Sequence, residues 1–303
     1  LMFDLLVAVC AEIALLGVLL AWRGRRATGW VFAGVGIGLG ILAKGPVILV
    51  YILPVALFAP WWMADQRTSS WIAWYVGLAG ALALGGAIGL GWALTAAAAG
   101  GESYSNNLLW GQTTGRMVES FAHRRPFWWY LSLLPVVLFP WSLWSPLWRA
   151  IRERFRTGWD SGERLTLMLA ASGLLIFSTV SGKQIHYLLP MFPALALFAA
   201  RALVDSRSML LPRLWAIWLP VAPLLMLGTA LLVLPFIPAL HGKATWVEEL
   251  SPLAAVPILA VLILTVVLVR RVQVTVWPGI VSLLFVLVTY PGVVREVARN
   301  YDV

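Results

Sequence analysis

The side chains suited to chemistry in this sequence are a few charged and polar groups set in apolar surroundings. Lys44 follows Gly-Leu-Gly-Ile-Leu-Ala and precedes Gly45 and Pro46, Lys183 lies in the short stretch Ser181-Gly-Lys-Gln-Ile-His-Tyr187, and Asp4 stands in the opening turn of an apolar run. Inserting a charge at membrane depth costs about 2.5–3.5 kcal/mol, so ionisable groups placed there mark functional positions by default. Fixed cations in a dry interface suit a reaction that builds negative charge on a leaving phosphate oxygen, because they stabilise the transition state more than the ground state. Arg116 adds a planar fork able to hold phosphate through two parallel hydrogen bonds. For Lys44 and Lys183 a second reading stands, in which the ammonium snorkels to the headgroups. For Arg116 the second reading is a surface pair with Glu119.

Other motifs carry less. Gly34, Gly36, Gly38 and Gly40 lack the G-x-G-x-x-G spacing and follow no strand, so they are expected to serve close helix packing. Lys44-Gly45-Pro46 lacks the preceding glycine and following Ser or Thr of a phosphate loop, but it ends one helix and starts another. The single cysteine, Cys10, excludes a disulfide scaffold and is expected to be a small buried residue. No internal repeat stands out, and the small-residue run from Ala93 to Gly101 is the main low-complexity stretch.

These residues must be positioned by membrane helices. Of 303 residues, 61% are apolar and 12% charged, where a soluble protein has roughly 25% charged. Too few polar residues remain to coat a core of that size, so lipid is the main solvent. A span needs about 20 mostly apolar residues. The sequence predicts an all-α polytopic membrane protein with about ten transmembrane helices, near 1–22, 28–43, 46–62, 71–95, 127–148, 165–181, 188–204, 214–237, 252–269 and 277–293. Alternating the connections places Arg23, Arg25, Arg26, Arg67, Arg149, Arg152, Arg154, Arg156, Arg164, Arg201, Arg207, Arg213, Arg270 and Arg271 on one side, cytoplasmic by the positive-inside rule. Only Lys44, Arg116, Arg124, Arg125, Lys183, Lys243, Arg295 and Arg299 fall on the other. The net charge of +9 is thereby accounted for without a nucleic-acid partner. Trp22, Trp30, Trp61, Trp62, Trp71, Trp128, Trp148 and Trp277 fall near span ends, at the expected headgroup level.

The long outer connection, 96–126, has Gln112, Arg116, Glu119 and His123 at i, i+4, i+7 and i+11, an amphipathic helix for the interface. The expected organisation is helices over 1–95 with the Lys-Gly-Pro break, this loop over 96–126, helices over 127–293 and an outer tail over 294–303. Leu1 and the side assignment suggest an N-terminally truncated chain preceded by an odd number of spans. No signal peptide is visible.

In order, Met-Phe-Asp4, Gly-Leu-Gly-Ile-Leu-Ala-Lys44-Gly-Pro, Gly-Gln-Thr-Thr-Gly-Arg116-Met, His123-Arg-Arg-Pro-Phe-Trp-Trp-Tyr130 and Ser-Gly-Lys183-Gln-Ile-His-Tyr187-Leu-Leu-Pro190 resemble the aminoarabinose (lipid A) transferases. They also resemble the wider protein mannosyltransferase-like group of C-superfamily (GT-C) glycosyltransferases. The resemblance covers about residues 1–205. It implies a fold of about thirteen spans, of which these would be the last ten, and inverting transfer of a sugar from a polyprenyl-phosphate donor to a lipid or protein acceptor on the outer face of the inner (plasma) membrane. It implies that Lys44 and Arg116 hold the carrier phosphate, that Tyr187 and Lys183 line the same cavity, and that Asp4 is a supporting acidic group. His123 and His186 are secondary candidates. The family's catalytic base, an aspartate on the first outer loop, has no counterpart here. The family often has Glu-His before the arginine, with the His near a metal; Gln112-Thr113 stand there in this sequence, which weakens the case for a divalent metal without removing it, and no other cofactor is implied.

Apart from the resemblance, an acceptor hydroxyl attacking a sugar needs a carboxylate to take its proton. A lipid or sugar transporter, or flippase, is the rival reading, with the cations lining a path; transporters usually carry repeat symmetry or paired broken helices, and only Gly45-Pro46 resembles such a break. A purely structural membrane subunit would leave the outer cations unexplained.

Overall fold

The computed structural model describes residues 2–63, 70–106, 125–180 and 182–205, with short pieces between 222 and 237 and residue 256. The described residues are mainly helical. The chain divides into two compact units, Leu1–Ser132 with Phe155–Arg201, and Leu133–Arg154 with Ala202–Val303.

The first unit begins with a helical hairpin. α1 (Met2–Trp22) and α2 (Arg26–Lys44) are joined at Gly24, whose φ of 90° only glycine adopts readily. The crossing is built on bare backbone: a Cβ on Gly17 would lie 2.4 Å from Ala33 N, and one on Gly29 would lie 2.4 Å from Ala21 N. Small residues are how membrane helices approach this closely, since lipid gives no hydrophobic drive to association. The glycine run of α2 is shared among neighbours. Gly36 meets Ala14 of α1, Gly34 and Gly38 receive Leu84 and Ile88 of α5 (Trp71–Asn106), and Gly40 receives Ile48.

The expected span 46–62 is interrupted. A 3-10 turn over Pro46–Ile48 leads into α3 (Leu49–Leu57) and α4 (Ala59–Trp62), because Pro60 suits the first turn of a new helix and cannot continue the old one. The last carbonyls of α3, which a helix end leaves without partners, are met by side chains. Trp62 Nε1 donates to Val55 O (2.7 Å), Trp74 Nε1 to Ala56 O (3.0 Å) and the Tyr75 hydroxyl to Leu57 O (2.9 Å). Trp62 is therefore buried among helices rather than set in the headgroups.

α5 runs eleven residues past the expected end at 95, through the alanine-rich stretch that favours helix. The segment 127–148, expected as one span, is three pieces: α6 (Trp129–Val137), a 3-10 turn over Trp141–Leu143, and the start of α7 (Ser145–Thr157). Pro140 and Pro146 account for the break, since neither can donate a helical hydrogen bond.

α8 (Ser161–Thr179) starts four residues before its expected position because Asp160 and Glu163 form a capping box. Glu163 N donates to Asp160 Oδ1 (2.8 Å), and Asp160 N to Glu163 Oε2 (2.9 Å). A 3-10 stretch over Ile185–Met191 then leads into α9 (Phe192–Asp205). Among the described residues, four helical segments are long and apolar enough to cross a membrane, Phe3–Trp22, Arg26–Lys44, Trp71–Gly100 and Ile185–Val204. The chain is thus a polytopic membrane protein. The expected spans 252–269 and 277–293, apart from residue 256, and most of 214–237 lie outside the described residues.

Candidate functional site

Asp4 and Lys44 each lie twenty residues from Gly24, so an antiparallel hairpin turning there brings both to the same end. Lys44 is the last residue of α2, fixed by Gly45, which takes φ 77° and donates its N–H to Ile41 O at 2.7 Å. Such a left-handed stop favours glycine. Lys44 Nζ donates to Asp4 Oδ1 in an ion pair, with the two side chains 23% and 9% exposed.

The third contributor is the stretch after α8. His186 Nε2 stands 3.4 Å from Asp4 Oδ2, and Lys44 Nζ lies 4.6 Å from the centre of the Tyr187 ring, a cation–π contact. One Asp4 oxygen therefore faces an ammonium and the other an imidazole. The carboxylate thus stands between the two groups.

What holds this stretch in place had no obvious sequence signal. Tyr51 of α3 donates its hydroxyl to Tyr187 O (2.8 Å), and Tyr130 of α6 donates to Gln184 O (3.0 Å) while accepting from Gln184 N (3.2 Å). Phe177 stacks between the rings of Tyr51 and Tyr187, 5.5 and 5.3 Å away. Lys183, 4% exposed, turns its ammonium onto Val180 O (2.5 Å) and Arg125 O (3.1 Å). That ammonium ties the end of α8 to the segment entering α6. The one available hint was general: a tyrosine hydroxyl inside an apolar run needs a partner.

Of the residues singled out by sequence, Asp4, Lys44, His186 and Tyr187 come together, with Lys183 next to them in the chain but bound to carbonyls. Arg116 and His123 lie outside the described residues, as do Gln112 and Thr113. Among the described residues no three His, Cys, Asp or Glu side chains form a metal-ligand set. The cluster joins one carboxylate, one ammonium, one imidazole and one phenol ring, a set able to receive an anion at Lys44 and to handle a proton at Asp4 or His186.

Comparison with known proteins adds an independent observation. This chain is 32% identical over 187 residues to undecaprenyl phosphate-alpha-4-amino-4-deoxy-L-arabinose arabinosyl transferase 2 of Pseudomonas fluorescens, covering 60% of this chain and 32% of that protein. The chain is similar to aminoarabinose arabinosyl transferases. The enzyme of that name from Erwinia tasmaniensis is 33% identical over 185 residues, covering 59% of this chain and 32% of its own length. The one from Edwardsiella ictaluri is 34% identical over 190 residues, covering 59% and 33%. The chain spans about a third of the length of these curated relatives. No family profile and no solved structure matches it.

Proposed function

We propose that this chain is part of a membrane glycosyltransferase that moves a sugar from a polyprenyl-phosphate donor to a lipid or protein acceptor, on the outer face of the inner membrane. The observation that carries this reading is the convergence of Lys44, Asp4, His186 and Tyr187 at one end of the helical unit. The relatives, whose printed names include an undecaprenyl phosphate sugar donor, support it.

In this reading a carboxylate base takes the acceptor hydroxyl's proton as its oxygen attacks the anomeric carbon, the bond from that carbon to the phosphate oxygen breaks, and the leaving phosphate gains a negative charge. Lys44 and Arg116 stabilise that charge, and Tyr187 confines the ammonium above its ring. Asp4 holds Lys44 and His186 in register and offsets the cost of placing an ammonium where water is scarce.

The test is single-turnover sugar transfer from a polyprenyl-phosphate donor in the intact protein. Loss of transition-state charge stabilisation commonly costs about 3 kcal/mol, roughly a hundredfold in rate. Lys44→Gln and Arg116→Lys should each fall by about that factor. Removing Lys44 alone strands a buried carboxylate, which is destabilising in itself, so the double change Asp4→Asn with Lys44→Gln serves as the folding control. It should recover the yield without recovering transfer. Wild-type rates in both single variants would refute the phosphate assignment. Movement of a lipid or sugar across vesicles with no glycosidic bond made would replace the enzyme with a transporter.

A further inference from the structure

The start of α7, away in sequence from the Asp4–Lys44 cluster, holds buried donors without a hydrogen-bond partner among the described residues. Trp144 is fully buried, yet its Nε1–H has no hydrogen-bond partner among the described residues. The Ser145 hydroxyl and the Arg149 Nε and Nη2 atoms are buried in the same way without partners. Buried polar groups are nearly always paired, since an unpaired one forfeits its hydration. These four atoms can all donate, and one group is a cation, so the missing partner is an anionic acceptor.

The geometry of the arginine narrows the class. The Nε and Nη2 atoms form the edge through which a guanidinium makes two parallel hydrogen bonds to a phosphate or carboxylate. Ser145 lies one helical turn before Arg149 on the same face, so its hydroxyl serves the same acceptor. Arg152 and Arg156 continue this stripe at i+7 and i+11 from Ser145, while Leu147 and Ala150 are buried on another face.

The surroundings favour a lipid as the bearer of that anion. Trp148 is 54% exposed beside the arginine stripe, and its Nε1 donates to Ser142 O at 2.7 Å, which holds its ring at the helix start. Trp141 packs edge-on against Trp144 with ring centres 5.7 Å apart. An amphipathic helix with an arginine face and tryptophans at its start matches the headgroup level of a bilayer.

We propose that Trp144, Ser145 and Arg149 form a binding site for the phosphate of an anionic phospholipid headgroup. This site does not depend on the sugar-transfer reading, and its test does not pass through that activity. The intact protein in neutral detergent is titrated with phosphatidylglycerol, with phosphatidylcholine and with inorganic phosphate alone. Binding is read by native mass spectrometry and by the shift in thermal unfolding.

Phosphatidylglycerol should bind in preference to phosphatidylcholine. Arg149→Lys, which keeps the charge and loses the fork, should weaken it about tenfold. Arg152→Lys, on the exposed part of the same stripe, should stay within about twofold of wild type. Equal retention of both lipids, an unchanged Arg149→Lys variant, or equal losses in the two variants would each overturn the site. Inorganic phosphate binding as tightly as phosphatidylglycerol would overturn the lipid as its source. Because Arg149→Lys retains the cation, the comparison stands even where a neutral substitution prevents folding.

Discussion

Tyr130 shows how one hydroxyl determines the placement of residues far away in sequence. Its ring is wholly buried and its oxygen both donates to and accepts from the backbone of Gln184, two residues before His186. Tyr130→Phe would fill the same space while leaving a backbone C=O and N–H without a partner, which costs about 1–3 kcal/mol. Tyr75→Phe removes a single donor from an exposed carbonyl and leaves no N–H without a partner, so it should cost less, about 0.5–1 kcal/mol. Thermal unfolding of the two variants in the same detergent checks the contrast. Equal shifts would mean that the Tyr130 hydroxyl does not hold the stretch.

At the scale of elements, the start of α8 is the most sharply specified boundary. The Asp160 carboxylate accepts from Glu163 N, and Arg201 Nε of α9 donates to its other oxygen at 3.3 Å. Burial alone pushes this carboxyl's pKa up, but the Glu163 N–H and the Arg201 guanidinium outweigh it and hold the group below the ordinary carboxylate value. A depressed folded pKa means stabilisation that is full above the unfolded value, about 4, and is lost as pH falls through the folded one. Asp160→Ala should therefore cost about 1 kcal/mol near neutral pH. The gap between variant and wild type should shrink as pH drops below about 4. Unfolding midpoints measured across that range check it, and a gap that widens in acid would contradict the cap.

For the molecule as a whole, the two polar clusters of the first unit lie at opposite ends of α8. Asp160 and Arg201 pair at its start, whereas His186 and Tyr187 follow its end. Nineteen helical residues rise about 28 Å, which separates the two clusters along the helix. The positive-inside reading puts the Asp160 end in the cytoplasm and the Lys44 end outside. Thr157→Cys and Ser105→Cys test it, since the native Cys10 is buried and contributes little background. An impermeant thiol reagent on intact cells should label position 105 and spare position 157. The reverse pattern would invert the protein in the membrane.

Sequence by itself determined the solvent and named candidates for the site. Its apolar excess and arginine distribution require a polytopic membrane protein, because no other medium accommodates so few charges. Asp4 and Lys44 stood out because ionisable groups beside apolar spans are expensive and kept for a purpose, whereas Tyr187 and His186 became candidates only through the motifs of the family resemblance. Hydropathy, however, is blind to where prolines interrupt an apolar run, so the breaks inside 46–62 and 127–148 emerged only in the folded chain. Nor does sequence spacing reveal which hydroxyl meets which carbonyl. Tyr51, Tyr130 and Lys183 act through contacts spanning 136, 54 and 58 residues, and such pairings exist only once the helices have packed. The tertiary structure likewise decided that Asp4 faces both Lys44 and His186, because a carboxylate's two oxygens find their partners through the register of three separate elements.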